Sequence, residues 1–252
     1  MSQHRNRLGL TLTLLLCCLW AVPASATIAD STRGCSNLNT GTGSTINCNF
    51  ASVAAGSLII ATMRWEATDA TPTMSDGTTS FTCLTRIVGS TDPVYHRMCY
   101  LLSSVASGTV TYTWTIGATV SYIVMYVHEF THDSAVTLGN VPSGSGVGGT
   151  GTAVNCGAFS TANNGDLSIA GQGAYGASVS TLYSIGGTTT GVANDETNPY
   201  SQIWWKVVAS AGSAVAELVL GGSSSWACSS ISFTEGGAAA SGAWRSLLGV
   251  GK

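Results

Sequence analysis

The segment from Val120 to His132, VSYIVMYVHEFTH, constrains this chain more than any other. Eight of the twelve residues from Val120 to Thr131 are β-branched or aromatic. Such side chains pack well on a pleated surface and lose rotamer freedom on a helix, so the segment reads as a strand. The choice matters because His128-Glu129-Phe130-Thr131-His132 also fits HExxH. In that pattern two imidazoles one helical turn apart hold zinc while the Glu activates a bound water. On a strand, His128 and His132 lie roughly 13 Å apart at ~3.3 Å per residue. Two rings so separated do not share one ion unless the chain bends sharply between them. A non-enzymatic protein is therefore expected. The alternative is a secreted zinc metallopeptidase with Glu129 as its base. A looser variant gathers His96, His128 and His132 into one metal site.

Met1 to Ala26 has the form of a secretory leader. His4, Arg5 and Arg7 precede an apolar run from Leu8 to Ala21 and the small-residue site Ala24-Ser25-Ala26. The run is too short to span a bilayer, and no transmembrane segment is expected in residues 27–252. Beyond the leader, seven basic groups stand against twelve acidic ones, with no Lys/Arg cluster to draw nucleic acid. Charged residues are 8% of the chain, against about a quarter in ordinary domains. A surface made instead of Ser, Thr, Asn and Gly suits strands better than helices, whose wet faces use Glu, Lys and Arg. The expected location is secreted, extracellular or periplasmic.

Six cysteines lie beyond the leader, and an even number in an exported chain implies disulfides. Residues 80–88 and 94–103 read as the arms of a hairpin around the turn Gly89-Ser90-Thr91-Asp92-Pro93. Facing residues then have numbers that sum to 182, which sets Cys83 opposite Cys99. An internal duplication sorts the rest. Ile46-Asn47-Cys48 and Gly56 to Ala61 recur as Val154-Asn155-Cys156 and Gly165 to Ala170, and Gly108 to Tyr122 matches Gly212 to Trp226. Cys156 then corresponds to Cys48, and Cys228 to Val124. If Cys156 bonds Cys228 across neighbouring strands, Cys48 has only Cys35 left. The expected set is Cys35–Cys48, Cys83–Cys99 and Cys156–Cys228.

Thr109 to Ile116 alternates strictly, with Val110, Tyr112, Trp114 and Ile116 on one face and four threonines on the other. Leu58 to Trp65, Tyr122 to Phe130, Leu167 to Gln172, Gln202 to Val208, Val215 to Leu220 and Trp226 to Phe233 also read as strands. The expected fold is all-β: a two-sheet antiparallel, jelly-roll-like sandwich over residues 27–235. Two similar halves, 27–138 and 153–235, build it, joined by a flexible Gly-rich connection at 139–152. Neither half carries many large apolar residues, so one continuous sandwich is expected. Residues 236–252 read as a flexible tail, or as a docking segment for self-association.

Trp204 and Trp205 are adjacent, so on a strand they point to opposite faces. Ile203, Trp205 and Val207 form the apolar set; Tyr200, Gln202, Trp204 and Lys206 form the wetter one. Unless a loop covers it, that second set is a sugar-stacking platform, which makes polysaccharide the candidate ligand. Asn194, Asp195, Glu196 and Asn198 supply oxygens of the kind that calcium takes. The threonine row at 109, 111, 113 and 115 suggests an ice- or mineral-facing array, but one strand is too narrow for that.

The Gly-x-Leu-x-Ile-Ala strand starts at Gly56 and Gly165 and the closing strand with Ser121-Tyr122-Ile123-Val124 resemble secreted bacterial β-sandwich surface proteins. That resemblance implies a fold and an extracellular role: glycan or surface binding, or assembly of a surface structure as a filament or coat subunit.

Overall fold

Alternation and β-branching shape the chain from end to end. The structure is a computed structural model describing residues 28–141, 146–186, 192–193 and 201–236, and none of these is helical. The first seven strands are β1 (Ala29–Val53), β2 (Leu58–Glu66), β3 (Thr73–Ser75), β4 (Thr82–Cys83), β5 (Ile87–Val88), β6 (Val94–Leu101) and β7 (Gly108–Thr131). The second seven are β8 (Val136–Leu138), β9 (Val147–Thr161), β10 (Leu167–Ala174), β11 (Val179–Ile185), β12 (Val192–Ala193), β13 (Ser201–Val207) and β14 (Gly212–Glu235). All pairings are antiparallel, and each half forms its own seven-stranded sheet.

The duplication is visible in the topology. One sheet runs β1-β7-β2-β6-β4, with β3 on β7 and β5 on β6. The other runs β11-β14-β10-β13-β12, with β8 and β9 on β14. In both, the last long strand lies between the first two, and the second lies beside the penultimate one. Register refines the correspondence: Leu58 faces Phe130 and Leu167 faces Phe233. Cys228 therefore matches Met125 rather than Val124. The extra residue sits at the bend of β7, where Tyr122 holds a left-handed φ of 53°.

Two long strands in each half bend and serve two layers. Along β7, residues 108–116 alternate between buried and exposed, whereas Ile123 to Phe130 is buried throughout. The first arm has solvent on one side; the second is covered on both, which is why its sequence reads as a near-continuous apolar run. Gly117, at φ 78°, and Tyr122 make the turn between the arms.

Three cores result. Ile46, Phe50, Trp65, Met74, Tyr112, Trp114, Ile123 and Met125 close one inside the first half. Val154, Phe159, Trp204, Ala216, Leu218 and Trp226 close another inside the second. A third lies between the halves, where Leu58, Ile60, Met98, Tyr100, Val124 and Phe130 meet Leu167, Ile169, Ile203, Trp205, Ile231 and Phe233. The molecule is thus two small sandwiches joined through their inner sheets, four layers in all. The expectation of one continuous core is corrected: small residues such as Cys48, Ala61, Ala170 and Cys228 fill the separate cores beside a few large rings.

The three disulfides pair as expected. Cys83 faces Cys99 directly, although β4 and β5 are two short pieces whose register against β6 slips by one residue between them. The other two cross from layer to layer. Cys35 lies on the arm of β1 that faces Val127, and Cys48 on the arm that faces Tyr112. Cys156 on β9 and Cys228 on β14 lie on neighbouring strands, as expected, but on arms in opposite layers, since Cys228 itself faces Val147.

The Gly-rich stretch is not simply a tether. From Val147 it is β9, paired with Ser224 to Cys228. A β-carbon on Gly148 would run into the Val88 carbonyl, and one on Gly149 into the Trp226 indole. These glycines permit close approach of backbone and ring.

Candidate functional site

Strand alternation decides what the HEFTH segment does. Val124, Tyr126 and Phe130 point between the halves, whereas Ile123, Met125 and Val127 point into the first core. His128 follows the first set and Glu129 the second. The His128 ring lies 4.2 Å from the Trp205 ring, centroid to centroid, and 5.0 Å from Phe130. Its Nε2 is 2.8 Å from Asp30 Oδ1. Burial pulls the His128 pKa below its ordinary value, and the hydrogen bond and charge of Asp30 offset this only in part.

Glu129 is fully buried on the other side of the sheet. Its Oε1 accepts a hydrogen bond from the Ala54 amide at 2.8 Å, and its Oε2 lies 2.7 Å from Arg33 Nε. The carboxylate therefore anchors the end of β1 and the turn beyond it. It points away from His128, so the geometry of a zinc peptidase, with Glu and both imidazoles around one ion, is not formed. His132 falls just past the end of β7.

His96 is also remote from that pair. It faces Arg64 on β2, whereas His128 faces Ile60. Four residues of strand separate the two positions, about 13 Å before any sideways distance is added. Among the described residues no three His, Cys, Asp or Glu side chains are grouped to hold a metal ion.

The proposed aromatic platform is turned inward. Trp204 has 0% of its surface exposed and belongs to the second core, and Gln202 is buried beside it. The Trp204 indole N–H donates to the Ser184 carbonyl at 3.3 Å, and Lys206 Nζ to the Ile185 carbonyl at 3.2 Å. The covering layer is β11 with the first arm of β14, a layer that periodicity around Trp204 does not reveal. Trp204 and Trp205 do point to opposite faces, as expected, but both faces are interior. Tyr200, Asp195, Glu196 and residues 237–252 lie outside the described residues.

Sequence reasoning missed the polar seam between the halves. Arg64 is fully buried and donates to the Tyr122 carbonyl at 3.0 Å and to the Ala174 carbonyl of the other half at 2.8 Å, while Glu66 pairs with its guanidinium. His96 Nδ1 lies 3.2 Å from Ser229 Oγ, again across the seam, and burial lowers the His96 pKa to about 3. Gly171 and Gly173 make room: a β-carbon on either would strike Thr62 and His96, or the stem of Arg64. The available signal was Arg64 itself, the single cation in LIIATMRWE, two residues before Glu66. Buried charges that are paired and hydrogen-bonded in this way hold sheets in register.

Comparison with protein families, with curated proteins and with solved structures finds no match to this chain.

Proposed function

We propose that this chain is a non-enzymatic extracellular β-sandwich that serves attachment or assembly at a surface, with β1 as its docking edge. The observation carrying this reading is the pairing of β1. Its 25 residues form the end strand of the first sheet, and among the described residues its backbone ladder runs to β7. A strand at the end of a sheet can take an added strand through its main chain, from a second copy or from a surface component. Three disulfides support an oxidising compartment. The inward turn of Trp204 takes that ring out of the glycan version of this reading.

Sedimentation of the chain from Thr27 onward, over a wide concentration range and with envelope polysaccharide added, tests this reading. The expected result is self-association or co-sedimentation that Thr40→Lys with Thr42→Lys weakens, because lysine on an edge opposes strand addition. A chain that stays monomeric and ignores the polysaccharide counts against the proposal.

A further inference from the structure

The threonine row of β7 is the middle of a wider face. Thr45 and Thr73 flank Thr115 on either side, and Asn47 and Ser75 flank Thr113. Ser80 extends the second rung through its bridge to Ser75, and Asn49 stands beside Thr111. The partners beneath them, Ile46, Trp114 and Met74, fill the first core, so this face points outward. Three strands thus present rungs of hydroxyl and amide groups with no charge and no ring among them. The Thr111 hydroxyl donates to Asn49 Oδ1 at 2.9 Å, which ties two of the strands together at the side-chain level.

The duplicate acts as an internal control. Thr109, Thr111, Thr113 and Thr115 correspond to Ser213, Val215, Glu217 and Val219 on β14. The fold therefore does not require threonine at these positions, since the same strand in the other half carries valine and glutamate. Threonine is β-branched and stiff at χ1, so its methyl and hydroxyl are held in place before any partner arrives.

From this face we infer an ice-binding site: β1, β7 and β3 hold a neutral threonine-centred lattice that orders water as an ice surface does. Rungs repeat at ~6.8 Å along each strand and at ~4.8 Å between strands. That two-dimensional repeat resembles the spacing of water oxygens on a prism face of hexagonal ice. The lack of charge disfavours a mineral or a nucleic acid, and the lack of an exposed ring disfavours a stacked sugar. The site is separate from the β1 edge and stands whether or not the chain assembles.

Ice-affinity partitioning of the chain from Thr27 onward, together with thermal hysteresis, tests the assignment. The chain should enter growing ice. Thr111→Lys with Thr115→Lys should lower the incorporated fraction by an order of magnitude with an unchanged melting midpoint. The matched pair Ser213→Lys with Val219→Lys in the other half should leave it unaffected. Exclusion of the native chain from ice overturns the assignment, as does undiminished entry of the Thr111/Thr115 variant. Exclusion from ice together with binding to microcrystalline cellulose or chitin that the same variant abolishes also overturns it, and names a sugar lattice instead.

Discussion

At the scale of single residues, His96 links acidity to stability. Its folded pKa is lowered by burial to about 3 from an ordinary 6.5. Between those values the unfolded chain binds a proton that the folded chain does not, so stability rises with pH there and falls as the solution is acidified. The lowered pKa of His128 acts in the same sense. The melting midpoint should hold steady above about pH 6.5 and drop below it, as the unfolding free energy falls by at most about 1.4 kcal/mol per pH unit for each histidine. His96→Gln should flatten the slope; a variant with the native slope would show that His96 is not its source. Residue identity made Trp204 look exposed because Gln202 and Lys206 share its face. What the sequence did not disclose was β11 and the first arm of β14 lying over that face, since covering by a distant segment leaves no local trace.

At the scale of elements, the bent strands and the disulfides that clamp their arms decide the architecture. Chain-entropy arguments give about 4 kcal/mol for closing the loop between Cys156 and Cys228 and about 3 kcal/mol for that between Cys35 and Cys48, with sequence separations of 72 and 13. Replacing Cys156 and Cys228 together by serine should therefore cost more in urea unfolding than replacing Cys35 and Cys48. Equal costs would place the stabilisation elsewhere. The pairings were legible because a hairpin centre and a repeat offset are local facts. The layer crossing was not: it depends on where β1, β7, β9 and β14 fold back, and glycines such as Gly43, Gly117 and Gly221 at those places do not by themselves tell a bend from a bulge. The extended backbone around His128 was legible for a firmer reason, its run of β-branched and aromatic side chains.

At the scale of the whole molecule, the shared core makes two sandwiches one folding unit. Phe233, in the second half, meets Tyr100 of the first with ring centroids 5.4 Å apart. Phe233→Ala should cost about 3–5 kcal/mol, as truncation of a buried aromatic does. It should also speed amide exchange in β2 and β6 as well as in β10 and β14. Acceleration confined to the second half would mean that the halves are energetically separate. The fold class was readable from composition and alternation, and the duplicated halves from offsets. The number of cores was not, because it turns on small residues such as Ala61, Ala170 and Cys228 whose interior role only packing reveals.

The first sandwich is contiguous in sequence, so β1 to β7 have all been synthesised before β9 appears. In that interval it can close its own interior but leaves Leu58, Ile60, Tyr100 and Phe130 bare. A chain truncated there is a half-clothed sheet with a sticky side until the second half arrives to cover it.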